Sequence, residues 1–92
     1  MGLLKNPSHP GCVLKNLYLT PLGMSEGKLA KHIGVPRTRI ERLTKGETGV
    51  TVDTALRLSK AFGTTPEYWL NMQTNYEVAK AGEVSVERLE YA

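Results

Sequence analysis

Apolar residues recur along this chain at spacings of three and four, and Gly, Pro, Ser or Thr interrupts them every dozen or so positions. That is the signature of short amphipathic helices, and the alternation expected of strands is scarce. Pro10 and Gly11 precede Val13, Leu14, Leu17 and Tyr18, which form one stripe on a helix predicted to end before Pro21. Ser25 is placed as an N-cap, with Leu29, Ala30 and Ile33 on the buried face and Gly34 to end a second, short helix. Pro36 fits the first position of a third helix with Ile40 and Leu43 turned inward, stopped by Gly46. Thr51 caps a fourth helix, with Asp53 in its first turn and Ala55, Leu58, Ser59 and Phe62 spaced for packing before Gly63. Thr65 caps a fifth with Pro66 at its first position, and Trp69, Leu70, Met72, Gln73 and Tyr76 carry it toward Ala81.

The expected fold is therefore all-α with five helices, in a single domain over residues 1–92 whose core spans about 10–81. The tail, 82–92, carries two patterns: Val84 and Val86 alternate as in a strand, while Val86 and Leu89 stand at helical spacing.

The connection between the second and third helices is about three residues long and contains Gly34, the length and chemistry of a helix-turn-helix. Gly34 permits the reversal, Val35 plugs the angle, and Pro36 sets the first φ of the new helix. With Ile40 and Leu43 facing inward, the third helix must present Arg37, Thr38, Arg39, Glu41, Arg42 and Lys45 to solvent. Arg37, Thr38, Glu41 and Arg42 share one side, the strip that a helix laid in a major groove offers to base edges. Arginine's planar fork matches guanine O6 and N7, and threonine can meet a base or a thymine methyl. We therefore read Arg37, Thr38 and Arg42 as base-reading. Lys28, Arg39 and Lys45 are expected on phosphates, where they would set register without reading sequence. Glu41 is better placed to pair within the helix, with Arg37 or Lys45, than to accept from a cytosine.

Charge sharpens this picture. Between Lys28 and Lys45 six cations stand against Glu41 alone, a local net of +5, whereas the segment from Thr65 onward nets −3. A basic run by itself is usually a solvated face, but here spacing, kink and charge agree on a polyanionic partner.

Composition excludes much else. No apolar run approaches the roughly 20 residues that a membrane helix needs, and the N-terminus lacks a secretory h-region. The single cysteine, Cys12, permits no internal disulfide and is expected to be a small, partly buried thiol. These features predict a soluble, cytoplasmic protein with no membrane association. His9 and His32 lack companions at ligand spacing, so neither metal nor cofactor is expected. No nucleophile–base or acid pair can be assembled, which argues against an enzyme. Trp69, Met72 and Tyr76 lie on a terminal helix that extends past what a five-helix core needs, and its far end is expected to bury against a second copy.

The stretch SEGKLAKHIGVPRTRIERLTKG resembles the helix-turn-helix of the lambda-repressor and Cro-like (XRE) superfamily. With NPSHPGCVLKNLYLTPLGMS before it and GVTVDTALRLSKAFGTTPEYWLNMQTNYEV behind it, the chain is similar to HigA-type antitoxins over about residues 6 to 81. The resemblance implies a five-helix lambda-repressor-like fold and a homodimer on double-stranded, palindromic operator DNA. It further implies repression of the chain's own operon and tight binding to a HigB-type toxin, an mRNA-cleaving ribonuclease. By position, Arg37, Thr38 and Arg42 match the family's base-reading sites, and Glu26 and Lys45 its backbone-contacting sites. Two departures stand out: the family prefers glutamine at Glu26, and Gly27 weakens a short helix by about 1 kcal/mol relative to alanine. Two narrower functions stay open at this level: a module that only sequesters a toxin, and an orphan regulator with no toxin partner.

Overall fold

A computed structural model describes residues 8–90; the expectation about the extreme N-terminus lies outside them. Among the described residues the regular structure is entirely helical. Helix α1 covers 10–22 in three joined stretches, α-helical Pro10–Val13, π-helical Leu14–Leu19 and α-helical Thr20–Leu22. Four helices follow: α2 Glu26–Ile33, α3 Arg37–Thr44, α4 Val52–Phe62 and α5 Pro66–Ala81.

The caps explain these boundaries. Ser25, Thr51 and Thr65 each accept a hydrogen bond from the backbone N–H three residues on, satisfying donors that the first turn leaves free. At the other end of α2, Gly34 takes φ 76° and lets Val35 N–H reach back to the Ala30 carbonyl at 3.0 Å, which closes the helix and starts the turn. Pro36 sits one place earlier than expected. It is extended, with ψ 144°, and α3 begins at Arg37.

Helix α1 departs from the expectation in two respects. It continues through Pro21, because the π-helical turn, in which Thr20 N–H donates to the Lys15 carbonyl, widens the ladder just where a proline ring would otherwise collide. The wide turn also shifts the buried stripe. Leu14 and Leu19 reach the core, while Leu17 stays 64% exposed. Cys12, expected to be partly buried, is exposed.

The core joins all five helices: Leu14 and Leu19 from α1, Leu29, Ala30 and Ile33 from α2, Ile40 and Leu43 from α3, Ala55 and Leu58 from α4, and Trp69 from α5, with Val50 in the loop before α4. Burying each leucine contributes roughly 1.5–3 kcal/mol, so α3 is held by two such anchors even though most of its surface is polar. Trp69 is fully buried; its Nε1–H donates to Thr64 Oγ1 at 2.8 Å, and Tyr18, Phe62 and Tyr68 surround it. Burial, followed by the neighbouring Tyr68 hydroxyl, pushes the Tyr18 phenol up to about 12, so it stays a neutral donor to Tyr68.

Trp69 therefore cannot contact a second copy, contrary to expectation: its surface is spent inside its own chain. Met72 and Tyr76 are half-buried, with the His9 ring edge-on to Tyr76 at 4.8 Å. Residues 82–90 adopt neither of the two patterns their sequence suggested; they carry no regular structure, and Val84, Val86 and Leu89 are exposed.

Two joints hold α3 and the loop that follows it. Gly11, inside the first turn of α1, lies directly against the Leu43 carbonyl, where an added Cβ would overlap that oxygen. His9 caps this turn, its Nδ1 accepting from Gly11 N–H at 2.9 Å. In the second joint Gln73 of α5 accepts from the buried Val50 N–H at 2.9 Å and donates to Glu77.

Candidate nucleic-acid interface

Because Ile40 and Leu43 pin one side of α3 to the core, its other sides are exposed: Arg37, Thr38, Arg39, Arg42 and Lys45 all face solvent. Glu41 is half-buried among them. Together with Lys28 and Lys31 on α2 this is a cationic ridge on a rigid two-helix corner.

The arginines are not idle. Arg37 Nε donates to Glu41 Oε2 at 2.7 Å, the intrahelical pair expected from the spacing. Arg39 Nη1 donates to Asp53 Oδ2 at 2.6 Å across to α4, and Arg57 Nε shares that oxygen at 3.0 Å. Arg57 then spends Nη1 on the Ile33 carbonyl at 2.7 Å, so one chain of contacts ties α3, α4 and the end of α2. Hydrogen bonds from Arg39 and Arg57 hold the Asp53 carboxyl below the usual carboxylate range. Arg42 approaches Glu47 only at 3.7 Å, an ion pair without a hydrogen bond.

Magnitudes decide what these pairs mean. The Arg37 side chain is 73% exposed and that of Arg42 60%. Exposed pairs contribute about 0.2–1 kcal/mol, against roughly 1–3 kcal/mol for one bidentate arginine–guanine contact. Such pairs orient the arginines yet yield to a better partner. Arg39 is the most committed, being 40% exposed and part of the inter-helix chain.

The first turn of α2 lies beside the first residue of α3: a Cβ on Gly27 would stand 3.4 Å from Arg37 Cδ. Lys28 follows Gly27 on that first turn and is exposed, whereas Lys45 ends α3. The Glu26 side chain is engaged within the corner. Its carboxylate accepts from Thr44 Oγ1 at 3.0 Å, bracing α2 against α3, and a carboxylate has no N–H to give a phosphate. A cleft of about 360 Å³, lined by Thr38, Arg39, Arg42, Thr51 and Thr54 among others, separates α3 from the start of α4.

Sequence reasoning passed over the residues behind this face. Arg57 and Asp53 stand at i, i+4, a visible signal, but the reach of Arg39 to Asp53 crosses 14 positions and has no local signature. His9 precedes a proline at the helix start and could have been read as a cap. Among the described residues there is no group of three or more His, Cys, Asp or Glu able to hold a metal ion, and no helix is long and apolar enough to cross a membrane.

Comparison with known proteins agrees with this geometry. The helix-turn-helix family profile matches residues 14–69. Virulence-associated protein I of Dichelobacter nodosus is 45% identical over 73 residues, covering 79% of this chain and 68% of that protein. The structure of an addiction module antidote protein of a HigA family from Coxiella burnetii is 45% identical, with TM-score 0.78 and 83% of each chain covered. The antitoxin GraA in complex with its operator is 34% identical, with TM-score 0.87 and 99% of each chain covered.

Proposed function

Because this chain belongs to the helix-turn-helix family, among the HigA-type antitoxins, we propose that it is a sequence-specific repressor of its own toxin–antitoxin operon that also neutralises a HigB-type, mRNA-cleaving toxin. The observation that carries the DNA half is the outward strip of α3, with Arg37, Thr38 and Arg42 exposed over the buried anchors Ile40 and Leu43. In this reading α3 enters the major groove, Arg37 turns its free Nη edge and Arg42 its whole guanidinium to base edges, and Thr38 meets a base or methyl group between them. Lys28, Lys45 and the outer edge of Arg39 contact phosphates, and Glu26 serves the corner rather than the DNA. Two copies on a palindrome place two such helices one or more turns apart, with the far end of α5, from Met72 and Tyr76 to the exposed Val78, turned to the second copy. We assign the chain no catalytic step.

Titrating binding to its own promoter against rising salt tests this reading, because neutralised phosphates release counterions and affinity should fall steeply. Arg42→Ala should relax base preference by roughly 1–3 kcal/mol at one position of each half-site. Lys45→Ala should weaken all sequences alike and reduce the salt slope by about 1. A flat salt response, or equal affinity for unrelated duplexes, would remove specific repression and leave a toxin-sequestering module. Coexpression with the adjacent toxin gene tests the other half: growth that is not rescued ends the antitoxin assignment.

A further inference from the structure

The arginines of α3 differ in which nitrogen they spend: Arg42, whose Nε stands 3.7 Å from Glu47, makes no hydrogen bond, and Arg37 is the one hydrogen-bonded through Nε. Arg39 gives a terminal Nη to its carboxylate, whereas Arg37 gives Nε to Glu41, and its Nη1 and Nη2 make no hydrogen bond among the described residues. A guanidinium held by Nε keeps its terminal edge free, and that edge is the fork that meets O6 and N7 of a guanine. The stem is braced as well. Arg37 Cδ, Nε and Cζ lie 3.4, 3.5 and 3.8 Å from where a Cβ on Gly27 would stand, so the side chain runs over the bare backbone of α2. At those distances one methyl group would stand in ordinary contact, whereas a larger side chain would compete with the arginine stem for the same space. A small residue at 27 thereby leaves room for the stem of an arginine from the next helix.

We infer that Glu41 and Gly27 are positioning residues for Arg37: the carboxylate fixes the guanidinium in plane and the glycine leaves the channel for its stem, so that the fork is set before DNA arrives. The advantage is one of preorganisation. An arginine on a free stem must surrender several rotamers on binding, and one already held surrenders fewer, which favours the matched base over every arrangement that needs a different pose. A carboxylate beside the fork also disfavours a phosphate taken up loosely at that position, so Glu41 lowers affinity for unrelated DNA as it supports the specific contact. This inference rests on the reading of Arg37 as a base contact, and the experiment separates the two.

The measurement is the ratio of affinities for the operator and for an operator changed at each base pair in turn, for Arg37→Ala, Glu41→Gln, Gly27→Ala and Gly27→Leu, and for each of the last three combined with Arg37→Ala. Arg37→Ala should lose preference at one base pair of each half-site. Glu41→Gln should reduce preference at that same base pair roughly two- to fivefold while binding to unrelated duplex is unchanged or tighter. Gly27→Ala should keep the preference and raise Tm, because a methyl fits and the helix gains. Gly27→Leu should reduce the preference toward that of Arg37→Ala. In the Arg37→Ala background none of the three should move it further. The 15Nε–1H signal of Arg37 in the free protein should be protected from exchange, and that protection should weaken in Glu41→Gln, whose neutral amide oxygen is the poorer acceptor, a readout that a loss of general stability would not produce. If Arg37→Ala leaves every base preference intact, the base-reading assignment itself is wrong. If Arg37→Ala abolishes the preference while Glu41→Gln and Gly27→Leu do not change it, or change it equally without Arg37, the positioning role is overturned and the assignment survives.

Discussion

Removing the carboxamide of Gln73 is the sharpest test of how this small domain supports its outward helix. The side chain is nearly buried, and its Oε1 accepts from the Val50 N–H, which sits in the loop carrying the chain from α3 to α4. Gln73→Leu keeps most of the volume and deletes the acceptor, leaving a buried donor unsatisfied at a cost of about 1–3 kcal/mol. In a domain of this length each kcal/mol shifts Tm by roughly 4–8 °C, so a fall of about 4–24 °C is expected. The Glu77 link at the other end of the amide is more exposed, and Glu77→Ala should cost less than about 0.5 kcal/mol. Gly49 offers a second route to the same contact. A Cβ there would lie 2.7–2.8 Å from the carboxamide atoms, so Gly49→Ala must dislodge Gln73 and should cost a similar amount. Because both changes break one contact, the double variant should cost clearly less than their sum. Thermal and urea denaturation followed by circular dichroism measure the parent and the four variants. A Gln73→Leu loss below about 0.5 kcal/mol with an unchanged urea slope, or full additivity with Gly49→Ala, would refute the claim that this amide supports the loop.

Two further outcomes follow from the joint behind α3. Gly11→Ala puts a methyl on the Leu43 carbonyl, which is backbone and cannot swing aside, so α1 must lift from the end of α3; the expected loss, of order 1–3 kcal/mol, is read by denaturation, and a Tm within 2 °C of the parent, as an order-of-magnitude bound, would count against the contact. Burial chiefly, with help from the charge of Lys80 and against the effect of the Thr48 backbone, lowers the His9 pKa below 6.5. The neutral ring is therefore the folded form, capping α1 through Nδ1 with Tyr76 packed on its edge. Since the folded pKa is depressed, this stability is complete above 6.5 and is lost as pH falls from 6.5 through the lower folded value. His9→Asn keeps a side-chain acceptor at the cap and should lose less on acidification across that window. Identical pH profiles for the two proteins would mean that His9 does not titrate with folding.

Most of the helices could be read from the chain because their signals are local. Ser25, Thr51 and Thr65 cap within three residues, and Gly34, Gly46 and Gly63 take positive φ where the pattern stops. The Arg37–Glu41 pair was equally visible, being one helical turn. What escaped was of two kinds. The π-helical turn of α1 altered the phase of its stripe, so Leu19 replaced Leu17 in the core, and no residue in that stretch announces such a turn. Long-range partners were also hidden: Glu26 with Thr44, Arg39 with Asp53, and Trp69 with the aromatic rings that enclose it are separated in sequence and meet only once the helices pack.

By itself the order of residues settled which segments are helical, where the reversal between the second and third falls, and which side of the latter is charged, because capping, glycine conformation and 3.6-residue periodicity act over a few positions. Packing settled what those charges do. Whether an arginine presents its fork, braces a corner or waits beside a carboxylate depends on which backbone lies under its stem and which helix end it reaches, and these distances exist only after Leu14, Leu29, Ile40, Leu58 and Trp69 have drawn the helices together. Gly27 is the plainest case: one helix read alone shows only a weak position, and packing lays the Arg37 stem over it, so that what matters there is a small residue.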